Sequence, residues 1–121
     1  MAQLMAKRFD APDEVREFTD GTGRTELVTL AGTAVGLSSY EPGWRWSTNV
    51  RPIVGTDSCH VEHVGYVLKG RLSVKLDDGS EHEFRAGDAF HVPPDHDAWT
   101  VGDETCIVLD FGGLIGYAKA G

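Results

Sequence analysis

The chain has 121 residues, enough for one domain and too few for a comfortable second. Hydrophobic residues make up 40% of it and charged residues 25%, a composition too apolar for disorder. Acidic side chains outnumber basic ones by 19 to 11, and the net charge of -8 argues against nucleic acid or an anionic membrane as partner, because both require concentrated Lys and Arg.

Met1–Asp10 has no long apolar run and no cleavage pattern, and no stretch reaches the length of a membrane span. The expectation is a cytoplasmic protein with Cys59 and Cys106 both reduced. Met1–Arg8 reads as a loose start or an edge strand. Asp10–Glu14 has helix-start chemistry around Pro12, but no apolar repeat at helical spacing follows, so at most one turn is expected. From the Asp20–Gly23 turn onward the apolar period is two. Glu26–Leu30 and Thr33–Glu41 read as strands, and Trp44–Thr48 alternates large apolar with polar residues. Arg51–Asp57 reads as a loop, and His60–Leu68 as a strand ending at Gly70. Arg71–Leu76 alternates most cleanly, with Leu72, Val74 and Leu76 on one face. Asp77-Asp78-Gly79 is a hairpin turn, Ser80–Arg85 returns, and Ala89–Val92 is a short strand broken by Pro93-Pro94. Trp99–Val101 and Thr105–Phe111 close the series. Many short strands with almost no helix predict an all-β single domain, a sandwich or barrel. The chain divides into an N-terminal arm (1–20), a barrel (21–112) and a C-terminal tail (113–121).

The run Gly65-Tyr-Val-Leu-Lys-Gly70, then Arg71-Leu-Ser-Val74, then Asp78-Gly79, then Ala86-Gly-Asp-Ala-Phe-His-Val-Pro-Pro94, resembles the cupin superfamily. The resemblance covers about 43–111 and implies a jelly-roll β-barrel and a homodimer. It also implies a metal site, but none of the usual ligand positions carries its usual residue. Counting back from Gly70, the family's Glu position falls on His63 and its two His positions on Cys59 and Asp57. Its third His falls on Ala98, and the glycine that opens its first motif falls on Arg51.

The replacements are ligand types themselves. If the strand is regular, parity puts Asp57, Cys59 and His63 on one face, and His96 shares the parity of Ala98 at the barrel mouth. Cys59, His63 and His96 form a candidate metal set with Asp57 near. Thiolate and imidazole suit zinc best, and iron is the second choice. The competing reading of Cys59 is a small buried residue, and of His63 a satisfied core imidazole.

Asp97 is either a turn residue bonding nearby backbone or the carboxylate that orients His96. His60 has the outward parity and joins the site only through a bulge. Trp44, Trp46, Tyr66 and Trp99 are either core and interface packing or an aromatic wall to a ligand pocket. Cys106 reads as core; His82 and His91 receive no role. Three functions fit: a metal-dependent enzyme on a small polar metabolite, a metal-free module that binds a small ligand with the same residues, or, more blandly, a barrel that acts only through protein contacts.

Overall fold

The computed structural model describes residues 3–111, so the tail expected at 113–121 lies outside the described residues. Nine strands and three short helical turns follow in the order β1 (Glu14–Glu17), a 3-10 turn (Thr19–Gly21), β2 (Gly23–Leu30), β3 (Thr33–Tyr40), α1 (Trp46–Asn49), α2 (Arg51–Val54), β4 (His63–Lys69), β5 (Arg71–Leu76), β6 (Glu81–Arg85), β7 (Ala89–Val92), β8 (His96–Thr100) and β9 (Cys106–Asp110). All pairings are antiparallel. One sheet runs β1-β2-β3-β9-β4-β7 and the other β6-β5-β8. The fold is the expected all-β jelly roll, built as two facing sheets that do not close completely. No described helix is long and apolar enough to cross a membrane.

Burial follows strand parity. In β4, His63, Gly65 and Val67 are inward while Val64, Tyr66 and Leu68 face out. In β8, His96, Ala98 and Thr100 are buried and alternate with half-exposed Asp97 and Trp99. β9 repeats the pattern with Cys106, Val108 and Asp110 inward. The apolar core between the sheets includes Trp44, Trp46, Val67, Leu72, Val74 and Val108. An aromatic group closes one end: Tyr40 stacks on Phe18 with centroids 5.4 Å apart and meets Trp44 at 4.3 Å. Pairs of this kind contribute about 0.5–1.5 kcal/mol beyond the area they bury.

Two glycines set the path of β4. A Cβ at Gly65 would collide with the Leu109 carbonyl oxygen and come within 2.8 Å of the Phe90 ring, so β4 can lie this close to β9 and β7 only without a side chain there. Gly70 turns the chain into β5 at φ +77, a left-handed conformation, with the Thr105 carbonyl where a Cβ would go.

The structure corrects several sequence expectations. Asp10–Glu14 forms no helix. Asp13 donates its backbone N–H to the Leu27 carbonyl, and its carboxylate accepts the Thr29 N–H, which draws the following residues into β1. Thus part of the expected arm belongs to the larger sheet. Trp44–Thr48 does not continue as an alternating segment; the chain coils into α1, and the expected loop at 51–57 begins with α2. Pro52 sits in the first turn of α2 and Gly55 ends it at φ 78, the two residues best suited to those positions. β4 begins at His63 rather than His60, and β8 begins at His96 rather than Trp99.

Candidate metal centre

Cys59 lies in irregular chain before β4, yet its position is fixed. Its N–H donates to the His96 carbonyl at 2.8 Å, and the His96 N–H returns to the Cys59 carbonyl at 3.2 Å. This isolated antiparallel bridge sets the two residues side by side with both side chains buried. His63, the first residue of β4, arrives from the opposite sheet on the inward parity. Its ring centroid is 5.4 Å from that of His96, edge to face. One donor atom from each of Cys59, His63 and His96 falls within 4.8 Å of the other two, and all three residues are buried.

The hydrogen bonds assign the nitrogens. Nδ1 of His96 lies 2.8 Å from the Pro93 carbonyl oxygen, which can only accept, so Nδ1 carries the hydrogen and Nε2 keeps a lone pair when the ring is neutral. Nδ1 of His63 donates to Asp110 Oδ2 at 2.6 Å, which leaves Nε2 facing Cys59 Sγ at 3.8 Å. Each imidazole is thereby held by a partner behind it, the arrangement that fixes ring orientation in ligating histidines.

The electrostatics follow from the same contacts. Burial is the strongest influence on the Cys59 thiol and opposes its ionisation. Hydrogen bonds to His96 and His63, with their charge, together outweigh it and bring the thiol down to about 6. Burial also weighs most on His63 and favours the neutral ring. Asp110 and Cys59, through hydrogen bonds and charge, outweigh it and lift the imidazole to about 9. Without an ion the site at neutral pH is therefore a buried thiolate–imidazolium pair backed by a carboxylate. Cys106 shows the contrast: burial and the charge of Glu104 push its thiol up to about 12.

The donor set can be tested against a metal. A tetrahedral zinc ion with bonds of ~2.0–2.3 Å separates its ligand atoms by about 3.3–3.8 Å. Cys59 and His63 already stand at 3.8 Å, and the widest pair stands no further apart than 4.8 Å. The residues fit such an ion. Beside them is a small inner cavity of about 30 Å³, bordered by Trp44, Trp46, Val74, Val92, Ala98 and Asp110 among others.

Of the other expected pocket residues, Trp44 and Trp46 border this cavity and the rest lie outside it. Asp57 does not reach the cavity: its side chain is fully exposed and pairs loosely with Arg51 at 3.9 Å, because no strand yet exists there to impose parity. His60 is on the surface, bonded to Asp95 at 2.5 Å. Tyr66 faces out from β4 and is 39% exposed. Asp97 does not orient His96. It accepts the Arg45 side chain and the Ser47 N–H, each at 3.0 Å, on the outside of β8. Trp99 shares that outer face, with the Arg45 guanidinium 4.6 Å above its ring. Trp44 and Trp46 border the inner cavity. Ala98 does so too, with no donor to offer. Asp110 was not anticipated from sequence, although the inward parity of Cys106 and Val108 extends to it.

The profile of the cupin domain matches residues 55–112, a little under half of the chain, and includes every residue of this cluster. That segment carries a cupin domain. Solved structures extend the likeness over nearly all of it. A protein of unknown function from Acinetobacter sp. ADP1 superposes with a TM-score of 0.60 at 20% identity, over 83% of this cupin and 90% of that chain. An uncharacterised double-stranded β-helix protein from Klebsiella pneumoniae does so at 0.59 and 19%, over 98% of each chain. KdgF from Halomonas sp. gives 0.56 at 18%, over 85% and 88%. At these identities the likeness is one of fold. Among curated proteins none matches the sequence.

Proposed function

We propose that this cupin binds one divalent metal ion, zinc foremost, through Cys59 Sγ, His63 Nε2 and His96 Nε2, and receives a small polar ligand in the adjoining cavity. The convergence of the three buried donor atoms within 4.8 Å carries this reading. One thiolate and two neutral imidazoles form a common zinc set, and three protein donors leave a tetrahedral ion one further position, the mark of a site that works on a ligand. An ion held there would supply Lewis acidity toward that ligand. The chain's own contribution is positional. Asp110 and the Pro93 carbonyl hold the rings, the Cys59–His96 bridge fixes the thiol, and the apolar walls exclude bulk water. The cavity accepts only a compact ligand in this conformation.

One observation favours a second reading, a metal-free binding module. The Cys59–His63–Asp110 chain is hydrogen-bonded within itself, so its buried polar groups are satisfied by one another. Elemental analysis of purified protein separates the two. The proposal expects one zinc per chain, lost in His63→Ala; no metal after equilibration with zinc would leave the binding module.

A further inference from the structure

Trp44 is 2% exposed, and its indole nitrogen is the one buried side-chain polar atom with no hydrogen-bond partner among the described residues. Its ring meets Tyr40 at 4.3 Å and Phe18 at 5.6 Å and borders the inner cavity together with His63 and His96. Buried polar groups are almost always satisfied, and an exception calls for an explanation. Indole N–H donates and cannot accept, so whatever satisfies it must present an acceptor. We infer that the Trp44 indole N–H is a recognition donor for a compact oxyanion lodged in the cavity beside the Cys59–His63–His96 cluster.

This deepens the proposed function and takes from it the sign of the guest's charge: a cation held by three protein donors favours an anionic neighbour. The size comes from the cavity. About 30 Å³ exceeds the 10–15 Å³ that one water requires and fits a guest of a few heavy atoms, a carboxylate no larger than formate. Val74, Val92 and Ala98 make apolar walls; outside the cluster and the indoles the polar lining residues are Tyr40 and Asp110, whose carboxylate is engaged by His63 Nδ1. Trp44 would thus supply orientation, as a few placed polar groups do in a mostly apolar site.

The test uses the full-length, ¹⁵N-labelled protein. The Trp44 indole signal, assigned through its bonds to the backbone, is followed while zinc and then formate are added, with pivalate as an oversized control. Formate should move the Trp44 indole proton downfield, leave the indoles of Trp46 and Trp99 in place, and bind roughly tenfold more weakly to Trp44→Phe at unchanged zinc affinity; pivalate should do nothing. Formate saturation without a Trp44 shift, no formate binding at tens of millimolar, or wild-type affinity in a folded Trp44→Phe would each overturn the inference. Should that variant fail to fold, the wild-type indole shift decides. Should zinc not bind, the proposed function falls, and the formate titration of metal-free protein then judges Trp44 separately: a shift supports the donor and its absence ends it.

Discussion

Nδ1 of His63 and Oδ2 of Asp110 lie 2.6 Å apart across two adjacent strands, both side chains nearly inaccessible to water. The carboxylate anchors a ring whose other nitrogen faces the thiol of Cys59. Asp110→Asn preserves volume but removes the charge. Competitive titration against a chromophoric chelator should show zinc affinity reduced by about 10–100-fold, the range for partners that orient a ligating histidine. An unchanged affinity would mean that packing alone holds the ring.

Proton release should follow from the thiolate–imidazolium pair. Below about pH 6, zinc must displace a proton from both Cys59 and His63; between about 6 and 9 it displaces only that of His63, and above 9 neither. The contribution of this pair therefore makes affinity rise with pH and level off above 9. Calorimetry at pH 7.5 in two buffers of different ionisation enthalpy should report about one proton released from the pair. Two protons released with the thiol still protonated at that pH would contradict the assignment.

The two cysteines should separate chemically. In metal-free protein, alkylation of Cys59 should rise with pH around a midpoint near 6, while Cys106, held near 12 and buried, stays unreacted. Saturating zinc should slow the Cys59 reaction by at least about tenfold, since the coordinated thiolate is masked. Mass spectrometry of the labelled peptides gives both rates. Equal labelling with and without zinc would remove Cys59 from the ligand set.

Asp97 should prove structural. Its carboxylate binds the first turn of α1 through the Ser47 N–H and fixes Arg45 over Trp99. Asp97→Ala should cost about 1 kcal/mol in urea unfolding, the usual loss for a carboxylate that satisfies a helix-end N–H. Zinc affinity should stay within about twofold. A much larger loss of metal would return Asp97 to the site.

The strands and the site were unequally legible in the sequence. β5 and β7 announced themselves because one face of each is buried, which forces apolar residues to alternate, and β6 followed from the hairpin turn before it. The inward parity of His63 and the shared parity of His96 and Ala98 could be read for the same reason. Parity also placed Asp97 and Trp99 on the outside, but the late start assumed for β8 hid this. Asp57 was illegible because the chain at 55–62 lacks a ladder to give it a register, whereas His60 lies on the outside, as its parity implied. α1 and α2 were missed since four residues are too few to show a 3.6-residue period. Asp110 carried its signal in the alternation of β9, but Thr105–Phe111 was read only as a strand, with no facing assigned to its acid.

The two sheets of the jelly roll meet at the cluster: His63 belongs to the six-stranded sheet, and His96 to the three-stranded one that the Cys59 bridge extends. An ion held in common by these side chains would act as a rivet between layers otherwise joined by apolar contact and by the hydrogen bond from Thr100 to the Tyr40 carbonyl. A cleft of about 140 Å³ lies at the seam between the free edges of β6 and β7. Occupancy of the centre should then stiffen the sandwich, and hydrogen exchange along β7 would register the arrival of an ion that never touches it.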